Sequence, residues 1–283
     1  MTDDDNLLGE YLRARRELVT PDQVGIPVLG MRRVPGLRRE EVAMLAGISA
    51  EYYLRLEQGR DRNPSVQVLE SIARVLRLDD IDYLVSLSAD KPRRTRRRPR
   101  KETVPASMAR LVETLPLPAF VEGRYLDVLA ANALATAFSP RLTPGANRLR
   151  DVFLDPGERA FFPNWELVTA GLVASFRQAV GTDTDDPRYV ELIGELSIAS
   201  PRFRQLWARH DIGVRGGAPM TFTHPQLGEI RVDREKLQLN GTDGMMLVIY
   251  HAVAGTDSAD KLALLASASL PPVERAQVSD RAL

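Results

Sequence analysis

The spacing of apolar residues gives the two halves of the chain different characters. Leu7, Leu8, Tyr11, Leu12 and Leu18 fall on one face of an expected first helix. It should end near Thr20-Pro21, because proline restricts the residue before it and cannot continue a helix interior. Pro27, Gly30, Pro35 and Gly36 mark a long loop. Further helices are expected from Leu37 to Ala46, Ser49 to Gln58, Ser65 to Leu76 and Asp79 to Ser88, which makes an all-α domain of five short helices.

Beyond residue 104 the pattern changes. Ala119 to Leu129 reads as two short strands around a glycine turn. Helices are expected at Ala130 to Phe138, Trp165 to Val180, Pro187 to Ile198 and Phe203 to Arg209, then strands at Met220 to Thr223, Gly228 to Val232 and Met245 to Val253. Strands first, helices between and strands last imply an α+β domain with one antiparallel sheet covered by helices. The 283 residues suit a multidomain chain. The expected division is a helical domain at 1–88, a linker at 89–104, an α+β domain at 105–270 and a tail at 271–283.

Charge sharpens that division. The net charge is zero, yet residues 1–88 carry −3, 89–101 carry +7 and 102–283 carry −4. The run KPRRTRRRPRK cannot bury itself and its like charges repel, so it reads as an extended linker. It is either a solvated charge run or a strap that follows a DNA backbone.

With no cysteine, disulfides, thiol nucleophiles and cysteine-held metals are excluded, and only His210, His224 and His251 offer imidazoles. No P-loop, GxGxxG, GxSxG or HExxH motif is present. No catalytic residue, metal or cofactor is therefore expected. No apolar run is long enough to span a bilayer, and Met1 to Asp5 is acidic where a signal peptide would be basic. The expectation is a cytoplasmic protein with no membrane partner.

The most informative segment is LRREEVAMLAGISAEYYLRLEQG, Leu37 to Gly59. Val42, Ala43 and Ala46 form a small apolar face, Gly47 permits a left-handed turn, and Ser49 can cap the next helix. Tyr53 and Leu56 return to the core. This is the recipe of a helix-turn-helix, and it leaves Ala50, Glu51, Leu54, Arg55 and Gln58 on the outer face, which in such motifs lies in the major groove. Arg55 suits bidentate contact with guanine. Leu54 is either a thymine-methyl contact or a tolerated surface residue, and Glu57 is expected to bond within the domain. Arg32 and Arg33 are either phosphate clamps or a solvated loop pair. The segment resembles the XRE family of bacterial repressors over about residues 7 to 87. The family often begins the second helix with glutamine where this chain has Arg39, so the resemblance implies a phosphate contact from a different donor, and a double-stranded DNA operator as partner.

In the second half, PAFVEGRYLDVLAANALATAFSP, FLDPGERAFFPNWE, HPQLGEIRV and MMLVIYHAV resemble, in their joint order, the PAS-like ligand-binding domain of MmyB-like transcription regulators. That resemblance implies a curved sheet under helices, a mostly apolar pocket and a hydrophobic, fatty-acid-like effector. Phe120, Phe138, Trp165, Phe176, Trp207, Met246 and Tyr250 are the apolar candidates for its lining, each open to a plain core reading. Asn132 either caps a helix or orients a ligand head group. The expectation is a homodimeric DNA-binding regulator with a small-molecule sensor. The alternatives are a C-terminal domain that serves only dimerisation or partner binding, and an enzyme.

Overall fold

The computed structural model describes residues 6–27, 32, 34–61, 63–78, 80–88, 102–181, 184, 186–213 and 219–269. Arg33, the basic run 89–101 and the tail beyond 269 lie outside the described residues.

The first half holds α1 (Leu7–Leu18), a single 3-10 turn (Pro21–Val24), α2 (Arg39–Ala46), α3 (Ala50–Glu57), α4 (Val66–Val75) and α5 (Ile81–Ser88). The five expected helices are all present. Leu8, Leu12, Leu37, Val42, Tyr53, Leu56, Leu69 and Ile72 form their shared core. The α2–α3 turn follows from local chemistry: Gly47 ends α2 at φ 69°, and the Ser49 side chain accepts from Tyr52 N at 3.1 Å to start α3. Asn6 caps α1 and donates to the Glu57 carbonyl at 2.9 Å, which brings the start of α1 against the end of α3. A Cβ on Gly9 would stand 2.4 Å from that carbonyl, so only glycine permits the approach.

The second half opens with α6 (Ala106–Thr114), β1 (Ala119–Glu122), β2 (Val128–Ala131), α7 (Ala133–Phe138), α8 (Arg148–Leu154) and α9 (Pro156–Phe161). It continues through α10 (Trp165–Val180), α11 (Pro187–Ala199), α12 (Pro201–Ala208), β3 (Met220–His224), β4 (Gly228–Gln238), β5 (Met246–His251) and α13 (Asp257–Ser269). The strands form one antiparallel sheet in the order β2-β1-β5-β4-β3. Phe120, Val248 and Tyr250 face the helices with Phe222, Ile230 and Val232. The intervening Ala119, Val121 and Leu247 pack with Val112 of α6 on the other side. Alternation along β1 and β5 thus buries both faces of the sheet centre.

The expected sheet and covering helices are present, with three differences. β4 runs to Gln238 rather than Val232, because Asp233 to Gln238 pair with β5 in spite of their polarity. α6, α8, α9 and α13 were not anticipated; α8 and α9 are too short to show periodicity, and α13 is rich in alanine and serine. Ala130 and Ala131 belong to β2, and Asn132 separates that strand from α7.

Two buried ionic nodes fix the packing. In the helical domain Glu57, 2% exposed, accepts from Arg16 Nε of α1 and Arg39 Nε of α2, each at 2.6 Å. Under the sheet Glu122, 1% exposed, accepts from Arg148 Nη1 at 2.5 Å and Lys236 Nζ at 2.6 Å. Burial alone would raise the Glu122 carboxyl, but Lys236 and Arg148 outweigh it and hold it at about 2. Removing the shared Glu57 carboxylate leaves the buried Arg16 guanidinium uncompensated. Glu57→Ala should therefore cost the helical domain about 3–5 kcal/mol in urea unfolding; a loss below about 1 kcal/mol would make the node dispensable.

Candidate functional site

α3 displays the residues expected to read DNA. Its core side is spent on Tyr53, Leu56 and Glu57, and Ala50, Glu51 and Gln58 are exposed on the other. Leu54 and Arg55 are half-exposed beside them. Arg55 lies 5.6 Å over the Tyr52 ring and 3.4 Å from Glu51, loosely held on its own helix rather than in the core. Ser49 is spent on its capping bond. Arg39 is anchored through Nε to Glu57 with its side chain 38% exposed, so the rest of its guanidinium faces solvent at the start of α2. Arg32, expected as either a phosphate clamp or a solvated loop residue, grips Glu41 through two bonds of 2.7 Å and donates to the Gly36 carbonyl at 3.1 Å. That bidentate pair neutralises it and braces the loop before α2.

In the second domain the aromatic candidates divide. Phe138 and Tyr250 line a cavity with Phe161, Phe162 and Phe222. Their rings pack edge-on or tilted, with Phe138–Phe222 at 4.9 Å, Phe161–Phe222 at 5.0 Å and Phe138–Tyr250 at 5.4 Å. The rim carries Arg141, Arg148, Asp151 and Glu158. The cavity measures about 10 Å³, room for about one water, so the mostly apolar pocket expected has no room here for a chain-like ligand. Phe120 lies one layer behind, 6.1 Å from Tyr250 and under the Arg148 guanidinium at 5.3 Å. Met246, half-buried on β5, pairs with Glu122 and Gln238. Trp165 donates to the Val152 carbonyl at 2.8 Å. Asn132 is fully employed in the backbone: its Oδ1 caps α7 and accepts from Ala119 N, and its Nδ2 donates to the Leu115 and Leu117 carbonyls. The head-group reading of Asn132 gives way to the capping one.

Glu158 is the unusual member. It is 7% exposed; its backbone carbonyl accepts from Phe162 N at 3.2 Å, and among the described residues its carboxyl makes no hydrogen bond or ion pair. Burial raises its carboxyl to about 7 against the pull of Arg148, with Asp151 and Asp155 adding to the rise. Asp151 Oδ2, by contrast with either Glu158 oxygen, is buried without a partner, and burial raises that carboxyl too.

Residues 104–265 match the MmyB-like transcription regulator ligand binding domain, and residues 7–83 match a helix-turn-helix domain. The chain belongs to the MmyB-like transcription regulators. No curated protein matches it. Both matched families are regulatory, one binding DNA and the other a ligand, so this MmyB-like regulator joins a DNA-binding domain to a domain for a small-molecule effector. No helix among the described residues is long and apolar enough to cross a membrane.

Of the remaining candidates, Phe176 lies in the core of the second domain, and Trp207 packs against that core next to the meeting of the two domains of the regulator. Phe176 stacks on Tyr189 at 6.3 Å, and Trp207 stacks on Phe203 at 5.6 Å. Arg177 of α10 rests 3.8 Å over the Trp207 ring and donates to the Trp207 carbonyl and to His210 Nδ1. Burial and the cations Arg177 and Arg15 push His210 down to about 4, so the ring is neutral and can accept. Across the seam Arg15 of α1 pairs with Asp211, Gln178 donates to Asp80 at 2.9 Å, and Ile212 packs against the helical core. A cleft of about 350 Å³ opens there between α1 and the end of α12, lined by Glu10, Arg13, Glu17 and Arg209. It is a polar surface, unlike the aromatic cavity.

Sequence reasoning missed Phe161, Phe162, Phe222, Arg148, Asp151 and Glu158. Two of the rings and Glu158 stand in FLDPGERAFFPNWE, but nothing local separates a buried acid from a surface one on a helix of six residues. The consequence of the unpaired acid has a definite sign. A carboxyl raised in the folded state binds more protons there than unfolded, so its protonation favours the fold below about pH 4.5 and that gain is lost as pH rises towards 7. Glu158→Gln should therefore stabilise the protein at and above neutral pH by up to about 3 kcal/mol, and by nothing at low pH. Thermal unfolding across that range checks this, and an equal effect at every pH would refute it.

Proposed function

We propose that this chain is a sequence-specific, homodimeric regulator of transcription in the cytoplasm, whose C-terminal domain senses a hydrophobic small molecule and repositions the DNA-reading helix α3. The domain boundary is placed within residues 89–104. The observation that carries the reading is the continuous path from cavity to seam. Arg148 and Asp151 line the cavity from α8, the Val152 carbonyl of α8 holds Trp165 at the start of α10, and the end of α10 presents Arg177 and Gln178 to the seam. α10 has 16 residues, about 24 Å of stiff rod, so a shift at one end reaches the other. The seam lies against α1 and α5, which share a core with α3.

In a dimer the two copies of α3 must meet half-sites about 34–36 Å apart. A small rotation at each seam suffices to spoil simultaneous contact, and a differential of about 1–3 kcal/mol between the two placements is the usual scale of such coupling. Ala50, Glu51, Leu54, Arg55 and Gln58 read bases on this proposal, and Arg39 adds a phosphate contact near the start of α2. Arg33 and the basic linker are assigned to sequence-independent phosphate contacts on charge alone.

The closed cavity favours a second reading, in which the C-terminal domain serves only dimerisation, since small-molecule pockets commonly exceed about 300 Å³. Sedimentation and mass spectrometry of the extracted protein separate the two: a co-purifying apolar molecule supports sensing, and a ligand-free stable dimer supports the second.

Arg55→Ala should weaken binding to an operator selected from random DNA by about 1–3 kcal/mol and relax preference at one base pair per half-site. Equal weakening on scrambled DNA would displace Arg55 from the groove. A Gln178→Ala, Asp211→Ala double variant, assayed by fluorescence anisotropy, should keep operator affinity and lose its response to effector. A retained response would remove the seam from the signalling path.

A further inference from the structure

We propose that α11 is the surface through which two copies of this chain pair, its exposed face packing antiparallel on the same face of the partner's α11 about a two-fold axis at Gly194. This rests on the homodimeric reading above and gives that dimer its contact.

Three observations carry it. Pro187, Val190, Gly194 and Ile198 recur at three- and four-residue intervals and form one apolar stripe along three turns of the helix. Val190 is 57% and Ile198 83% exposed, so the rest of the described chain leaves the stripe open. It widens towards Ile198, because Arg150 of α8 pairs with Glu195 and the exposed Leu154 stands one turn further along the same side of α8.

The glycine is the second observation. Gly194 lies in the interior of a 13-residue helix, where glycine is destabilising relative to alanine, and a Cβ there would meet nothing within 4 Å. Its own domain therefore gains nothing from the missing side chain. A second helix crossing at that point does, because the side chains at the contact set how closely two helix axes approach.

The charges, finally, complement themselves. Arg204 of α12 donates to the Ser197 and Ile198 carbonyls at 2.6 and 3.2 Å, which puts its guanidinium at the end of α11, and among the described residues it makes no ion pair. Glu191, exposed on the other side of Gly194, is paired with Arg188 at 3.2 Å. An antiparallel pair centred on Gly194 sets Ile198 against the partner's Val190 and brings Arg204 to the level of the partner's Glu191, twice about the axis. Unlike charges then meet when the face is laid on itself, as an isologous interface requires. Arg204 and Trp207 share α12, so this contact lies one turn from the stack of Arg177 on Trp207.

Sedimentation equilibrium of the full chain tests the inference. The parent should sediment as a dimer at micromolar concentration. Ile198→Glu places an unpaired charge in the contact and should weaken the dimer at least about 30-fold. Gly194→Leu should weaken it too, while thermal unfolding at a concentration where both proteins are monomeric stays at or above that of the parent, since the space over Gly194 is open and leucine favours the helix. Arg204→Glu alone should weaken the dimer, and Arg204→Glu combined with Glu191→Arg should recover it. A parent that stays monomeric at every accessible concentration would overturn the homodimeric reading and this one with it. A parent dimer indifferent to Ile198→Glu and Gly194→Leu would overturn the assignment to α11 and leave the homodimer standing, and a double swap that recovers nothing would overturn the antiparallel pairing.

Discussion

Arg148 sits 6% exposed between the sheet and the helices, and a guanidinium taken that far from water must find partners or the domain does not form. It finds a carboxylate on β1 in Glu122 and a ring face in Phe120, and Glu122 is shared with Lys236 from β4. One residue of α8 therefore ties a helix to two strands and sets the depth at which α8 lies over the sheet. That depth brings Arg148 and Asp151 to the cavity rim and the Val152 carbonyl to Trp165. A hydrophobic isostere can match the net stability of such a pair, but it would not fix the direction of α8 through a bonded carboxylate and a ring face.

The same device recurs in the helical domain with the same signs, one buried carboxylate shared by two cations. Glu57 is the buried charge, and Arg16 and Arg39 are its partners from two other helices. Hydrophobic contact alone lets short helices slide on one another; a buried carboxylate with directional donors does not. Since Glu57 ends α3, the node fixes how α3 lies against α1 and α2, and it leaves part of Arg39 in solvent at the start of α2.

The helix-turn-helix was legible because its determinants are local. Gly47, the Ser49 cap and the small Ala43 act within a few residues, and the groove face follows by elimination once Tyr53 and Leu56 are assigned to the core. The covering domain was legible as strands and helices but not as a site. Phe222 comes from β3, Phe138 from α7 and Phe161 from α9, and only the sheet register brings them within ring contact. Phe176 and Trp207 read from sequence like pocket residues, because an aromatic under a helix looks the same whether it lines a cavity or fills a core. Arg32 shows the opposite limit: a loop arginine next to a helix-turn-helix resembles a phosphate clamp until Glu41 is found beside it.

A filled cavity and a sensory role are compatible if the closed form carries a cost that ligand can relieve. An unpaired acid is such a cost: with its carboxyl at about 7 in place of the usual 4.5, Glu158 weakens the closed domain at neutral pH by an amount on the order of a few kcal/mol. Coupling between sites typically needs about 1–3 kcal/mol, so the deficit is large enough to drive a change in placement and small enough to leave the domain folded. The route by which a change among the aromatic rings would reach the seam runs from Arg148 and Asp151 on α8 through the Val152 carbonyl and Trp165 to α10.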